Sequence, residues 1–479
     1  MSDDTTTPPA SASGEAGLNT EQIAVWMTEQ RWYASKSRGI SALEIEENVE
    51  ISSDPPLRVL LAQARFATGV HELYQLPVSL LPPGDNGERS VITSAPDGRC
   101  VIDSVSDPEL ARTLLAAMAA ETSAETEDGC MRFRRVESTG PLPVREAARP
   151  MGVEQSNSSI VFGEETVLKV FRRVEPGINP ELEVLRFLTA HDFPNIAPLR
   201  GWYEFEGRSL AATLGVAQRF LPGVRDGWEL AIEQIRTDPA VFINSLASLG
   251  RVTARLHNVL ASDPGDPAFS PEEPSGEALA LLVATIDEDV ERIFVRLPDD
   301  ERVAPILGRG QDVREQINQR AQLGVGGRAI RTHGDYHLGQ TLHRHVPDPA
   351  QRGADAEWVI IDFEGEPARP LFERRQKHSP LRDVAGMLRS FAYATSAVRI
   401  LHGQPAPGQF EERARQTFLE QYLSTVEPGL LPAGEAAVFN LLTVFELEKA
   451  VYELRYELDN RPDWLPIPVA GIARLLEAS

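Results

Sequence analysis

The chain predicts an α+β protein with a strand-rich first half, a mostly helical second half, and more than one domain. Three observations carry this. Apolar residues alternate with period two through much of the first 220 residues, and recur at helical spacing beyond them. At about 150 residues per domain, 479 residues exceed one compact core. Turn-forming dipeptides built on Pro and Gly punctuate the apolar runs.

Residues 1–17 are rich in Ser, Thr, Pro and acids, bury too little apolar surface to order themselves, and read as a disordered tail. From Leu18 to Trp32 the spacing of Ile23, Trp26 and Met27 predicts a helix, and a basic turn follows it. Strands are expected over Arg58–Ala67 and Glu72–Leu80, with Pro-Pro-Gly and Asp-Asn-Gly turns after them and a helix over Pro108–Glu121. These make an N-terminal α/β cap domain over 18–130, with the acidic segment Glu121–Gly129 as a loop. The next domain, 131–220, contains a hairpin of Ser158–Phe162 and Thr166–Arg172 joined by Gly163-Glu164-Glu165. A helix capped by Asn179 and opened by Pro180 comes next, its stripe supplied by Leu182, Leu185, Phe187 and Leu188. A strand over Leu210–Phe220 closes this domain. The helical remainder, 221–479, is clearest in Phe242–Leu260, Gly276–Leu297, Phe410–Tyr422 and Gly434–Leu458.

Charge narrows the partners. Lys and Arg number 47 against 71 Asp and Glu, and a net charge of −24 repels nucleic acid and anionic membranes. An anionic substrate must be met by local cations or a metal ion. No export signal and no apolar run of about 18 residues is expected. Two cysteines exclude a disulfide framework and suit a reducing cytoplasm.

Lys169 lies inside the apolar run Thr166–Phe171, where a buried ammonium needs an anionic partner, and Glu183 on the following helix is the intramolecular candidate. A strand lysine held by a helix glutamate suits nucleotide phosphates. Further on, Arg331–Gln340 is a polar, glycine-containing loop, and seventeen residues later Glu357–Glu364 is an apolar strand ending in carboxylates. Asp335 in the loop can orient a hydroxyl nucleophile, while Asp362 and Glu364 past the strand, with the amide of Gln340, can hold a divalent ion. The ordered set Lys169, Glu183, Asp335, Gln340 and Asp362 reproduces the two-part apparatus of kinase-like phosphotransferases. His333, His337, His343 and His345 match no zinc pattern; His333 reads as a backbone anchor that, with His337, borders the acceptor site.

Several segments together resemble bacterial maltokinases: Glu154–Ser159, Leu168–Arg173, Gly177–Pro180, His333–Gln340, Ile361–Pro367, Ser379–Gly386, Glu448–Glu453 and Arg461–Pro468. The resemblance spans residues 18 to 479. It implies a bilobal kinase-like fold with an added cap, and transfer of the γ-phosphoryl of ATP to the anomeric hydroxyl of maltose, whose 1-phosphate feeds α-glucan (glycogen) synthesis. By this resemblance Asp335 is the base, Gln340 and Asp362 bind Mg²⁺, and Lys169 contacts phosphates and pairs with Glu183. Gln155, Ser156, Asn157, Ser158 and Ser159 form the phosphate-covering loop, and Gln218, Arg219 and Phe220 the hinge beside adenine. That loop is Ser-Asn-Ser-Ser in place of a Gly-rich one, so hydroxyls and amides replace close glycine approach.

For the sugar, Lys449, Tyr452, Glu453 and Tyr456 fall on one helix face and, with Arg461 and Trp464, form the expected acceptor wall. Arg382-Asp383 is expected to brace the catalytic loop. Glucosamine kinase is the nearest alternative, marked by an extra acid near the sugar amine; a pseudokinase sensor and an aminoglycoside kinase are the others. Monomer and homodimer both stay open.

Overall fold

The computed structural model describes residues 18–85, 87, 89, 91–152, 156–323, 326–344, 357–367 and 369–477. The chain forms two compact units. One runs to Ile178 and takes in Leu199–Phe220; the other comprises Asn179–Pro198 and Leu221–Ser479.

The first unit holds two antiparallel sheets. One is built from Ile40–Ser53, Pro56–Phe66, His71–Leu81, Cys100–Asp103 and Val91–Ser94 in that spatial order, with Arg173–Val174 pairing on His71–Leu81. Successive side chains of a strand point to opposite faces, so Pro56–Phe66 feeds two cores. Leu60, Ala62 and Ala64 pack with Ile23 and Met27 of the helix Thr20–Glu29. Leu57, Val59 and Leu61 face the helix Pro108–Ala119, which Asp107 caps by accepting from the Glu109 and Leu110 amides. That second core also contains Phe133, Ile160, Leu168 and Tyr203, so cap strands and the following sheet bury a common interior.

The following sheet has the order Ser123–Glu125, Gly129–Arg135, Leu199–Gly207, Ala211–Arg219, Thr166–Phe171, Asn157–Phe162, Ala148–Pro150. Its central hairpin has the expected register, Ser159 opposite Lys169 and Phe162 opposite Thr166. Gln75 of the cap strand donates to the Phe171 carbonyl at 2.7 Å and accepts from Tyr203 Oη at 2.9 Å, which satisfies a buried amide. The acidic segment expected as a loop contributes the edge strand Ser123–Glu125.

The second unit opens with the helix Pro180–Ala190, capped by Asn179 as its sequence predicts, with Leu182, Leu185, Phe187 and Leu188 buried. Its long helices include Pro239–Leu260, Gly276–Phe294, Gly310–Leu323, Leu381–His402, Phe410–Thr425 and Glu435–Asn460. Ile286, Val290, Ile317, Val444, Leu447, Leu454 and Ile472 form one of its cores. A small sheet of Val224–Asp226, Thr341–Arg344 and Trp358–Ile360 sits among these helices. No described helix is long and apolar enough to cross a membrane.

Candidate active site

The small sheet positions the candidate reacting groups. Thr341 pairs with Ile360 and His343 with Trp358, so the chain returns antiparallel to the end of the catalytic loop. The Ile361 amide donates to the Gln340 carbonyl at 3.1 Å, and the Gln340 side-chain amide lies 3.1 Å from Asp362 Oδ2. A separation of 22 residues in sequence, Gln340 to Asp362, thus becomes adjacency. Asp362 has a φ of 63°, a left-handed conformation that is costly for a non-glycine residue and common where function fixes a side chain.

The loop carrying Asp335 is held from below. Asp383, at the start of the helix Leu381–His402, accepts from the amides of His333 (2.7 Å) and Gly334 (3.0 Å) and meets His257 Nε2 at 3.2 Å. Burial alone pushes this carboxyl up, but hydrogen bonds and charge from His257 and the loop outweigh it and hold it below the usual range. Gly386, one turn later, lets the helix touch the loop: a Cβ there would meet the Tyr336 carbonyl at 2.6 Å. The His333 ring bonds the Ile361 carbonyl at 2.9 Å and is fully buried beside Phe363. It is an internal brace, as its anchoring role predicts, and not a wall of the acceptor site. His337 Nδ1 accepts from the Gly339 amide, and its Nε2 stands 3.8 Å from Asp335.

Asp335 faces a cavity of about 520 Å³ within the helical unit. Lys449, from the long helix Glu435–Asn460, lies between Asp335 (3.2 Å) and Glu366 (2.9 Å). Burial raises the Asp335 carboxyl, but the Lys449 ammonium and His337 more than reverse this and leave it far below the ordinary carboxylate range. Lys449 is buried too, which disfavours its charge, yet Asp335 and Glu366 hold it well above the ordinary lysine range.

Of the expected acceptor wall, Lys449 and Tyr452 line this cavity. Glu453 does not: it is buried against Arg389, with contacts of 2.6 and 3.0 Å. Tyr456, Arg461 and Trp464 gather at the helix's far end, where Arg461 stacks on both rings and pairs with Glu457. The helix rotates 100° per residue, so the adjacent Tyr452 and Glu453 diverge to opposite sides of Lys449, one toward the pocket and the other toward the core. The cavity's other polar groups, Arg369, Arg382, Glu448, Arg455 and His378, were not picked out in sequence as acceptor groups. Burial and the neighbouring Arg382 push His378 down to about 3, so it is neutral.

Within its own unit, Glu183 is held by two arginines, Arg331 at 2.7 Å and Arg375 at 2.6 Å, which answer its burial. Glu181, two residues earlier, instead brings a carboxylate within 4.8 Å of those of Asp362 and Glu364. Three carboxylates and a neighbouring amide are hard oxygen donors of the type Mg²⁺ takes. Glu181 is almost fully buried, a signal that sequence could have given only through the helix phase.

In the first unit, Asn157, Ser158 and Ser159 lie in the strand Asn157–Phe162, not in a loop. Ser158 Oγ accepts from Arg172 Nε at 2.8 Å, and the same buried guanidinium pairs with Asp103 and covers Trp32. Ser158 is therefore linked through Arg172 to Asp103 of the cap sheet. Ser156 precedes the strand, and Gln155 lies outside the described residues. Lys169 is half-buried on its strand, while Gln218 and Arg219 end the strand Ala211–Arg219. Phe220 follows, its amide bonded to the Glu165 carbonyl.

Two family models match: a maltokinase N-terminal cap domain over residues 26–107 and the phosphotransferase enzyme family over 147–365. A glucosamine kinase of Streptacidiphilus jiangxiensis is 26% identical over 453 residues, covering 89% of this chain and 96% of the relative. Another glucosamine kinase, from Mycolicibacterium smegmatis, is 26% identical over 345 residues, covering 69% and 79%. A solved glucosamine kinase in complex with glucosamine, ADP and inorganic phosphate superposes with a TM-score of 0.68 at 20% identity, covering 95% of this chain and 98% of that one. The fold is accordingly the bilobal kinase-like one. With a maltokinase N-terminal cap domain matched over residues 26–107 and the phosphotransferase enzyme family over 147–365, the chain is an ATP-dependent sugar kinase.

Proposed function

We propose that this kinase transfers the γ-phosphoryl of ATP to the anomeric hydroxyl of a neutral sugar, maltose, to give maltose 1-phosphate for α-glucan synthesis. One observation carries the choice of a neutral acceptor: the carboxylates around the cavity are already paired. Asp335 and Glu366 share Lys449, Glu448 holds Arg382 at 2.5 Å, Glu373 faces Arg369, and Asp289 pairs with Arg292 and Arg455. A sugar ammonium needs an uncommitted carboxylate; a neutral polyol is served by paired donors and acceptors and by the Tyr452 ring. The volume suits a small-molecule ligand.

In this reading Asp335 receives the acceptor hydroxyl. Its depressed basicity suits orientation of the nucleophile with late proton acceptance, as a loose phosphoryl-transfer transition state requires. Asp362, Gln340, Glu364 and Glu181 would hold Mg²⁺, which when bound neutralises the phosphate charge that a −24 protein otherwise repels. Lys169 would contact phosphates, with Ser156 and Asn157 beside them and Gln218 to Phe220 near adenine.

The curated relatives favour a second reading, glucosamine as acceptor. Initial rates with ATP, Mg²⁺ and maltose, glucosamine, glucose or kanamycin discriminate them. Maltose is expected to give the highest kcat/KM, and Asp335→Asn to lower it by about 10²- to 10⁴-fold. A higher kcat/KM for glucosamine transfers the assignment to the second reading.

A further inference from the structure

We propose that Arg369 sets the charge selectivity of the acceptor pocket, disfavouring cationic amino sugars relative to neutral ones; this rests on the acceptor reading above. Three carboxylates converge on its guanidinium. Glu366 lies 2.7 Å from Nε, Glu373 3.6 Å from Nη1 and Glu448 3.6 Å from Nη2, so each nitrogen of the fork addresses a different acid. Two of these acids also meet a second cation, Glu366 with Lys449 at 2.9 Å and Glu448 with Arg382 at 2.5 Å. Among the described residues, Arg369 is the cation paired with Glu373.

Position decides the consequence. The Arg369 side chain is 37% exposed, whereas Glu366 and Glu448 are 9% and 14% exposed, so the guanidinium overlies those two acids at the cavity surface. Take the guanidinium away and Glu373 loses this cation, while Glu366 and Glu448 keep Lys449 and Arg382, so the cavity wall gains one net negative charge where charges interact more strongly than in water. An ammonium on the acceptor would then fill the vacated place, and a hydroxyl at the same carbon would gain nothing comparable.

Glucosamine and glucose separate charge from shape, since they differ only in an ammonium against a hydroxyl on one carbon. Calorimetric titration of the full chain at about pH 6.5, below the range of amino groups, gives the affinity ratio of the two. In Arg369→Met the glucosamine-to-glucose ratio is expected to rise about tenfold over the unsubstituted protein, and in Arg369→Lys to stay near its starting value. An unchanged ratio in the Met variant, or an equal rise in the Lys variant, overturns the proposal. Glu373→Gln supplies the opposite sign if Arg369→Met fails to fold: stripping an acid and keeping the arginine should lower the ratio, and no fall overturns it equally. Whether the unsubstituted protein phosphorylates maltose tests the acceptor reading alone, independently of this ratio.

Discussion

Lys449 ties the chemistry of Asp335 to the C-terminal helix. Because its ammonium depresses the carboxyl, Asp335 stays ionised well below the ordinary aspartate value of about 3.9. The sign follows: stability from this pair is complete above the unfolded pKa and is lost as pH falls through the lower folded one. In a pH–rate profile, the acid limb of kcat/KM for the unsubstituted enzyme is expected below the usual carboxylate range. Lys449→Met should move that limb upward, because burial then acts on Asp335 without its main counter-charge. A limb at the same pH in both proteins would show that Lys449 does not set the base. Glu183 and Glu181 make a related point, since two acids two residues apart on one helix serve a double arginine clamp and a carboxylate cluster respectively.

The helix Glu435–Asn460 divides its labour along and around its axis. Lys449 and Tyr452 face the cavity, Glu453 faces the core, and Tyr456 is exposed beside Arg461. Tyr452→Ala is expected to raise KM for the sugar with little effect on KM for ATP and on Tm. Glu453→Ala should do the reverse, lowering stability by about 3–5 kcal/mol by stranding buried Arg389, while both KM values hold in the folded fraction. Melting curves and both KM values on the same preparations check this; a sugar-specific KM effect from Glu453→Ala would contradict its placement in the core. The strand Ile40–Ser53 shows a different limit. Leu43 and Val49 are buried at even spacing, but the acids between them favour helix in isolation, and only pairing with Pro56–Phe66 resolves the choice. The helix Leu381–His402 also escaped notice, because burial around nearly its whole circumference erases the polar face by which a helix is recognised.

Across the chain, a charge of −24 makes nucleotide binding depend on local compensation. Asp362→Ala is therefore expected to abolish the Mg²⁺-dependent part of ATP affinity in calorimetry, and an unchanged affinity would refute the assignment of that carboxylate. The adjacency of the candidate residues Gln340 and Asp362 is legible in the linear chain because a turn and a returning strand keep them close in sequence, and local hydrogen bonds suffice to bring them together. Helix caps and the Asn157–Phe171 hairpin were legible for the same reason, being settled by neighbours a few positions apart. The pocket was not. Arg369, Arg382 and Glu448 come from separate segments, and the pairing of both arginines with Glu448 depends on helix phase and long-range packing. Glu453 and Glu183 carry the same carboxylate as the acids of the site, yet Arg389, Arg331 and Arg375 withdraw them from it. Local chemistry thus names the groups able to move a phosphoryl, whereas burial and distant counter-charges decide which of them face the acceptor.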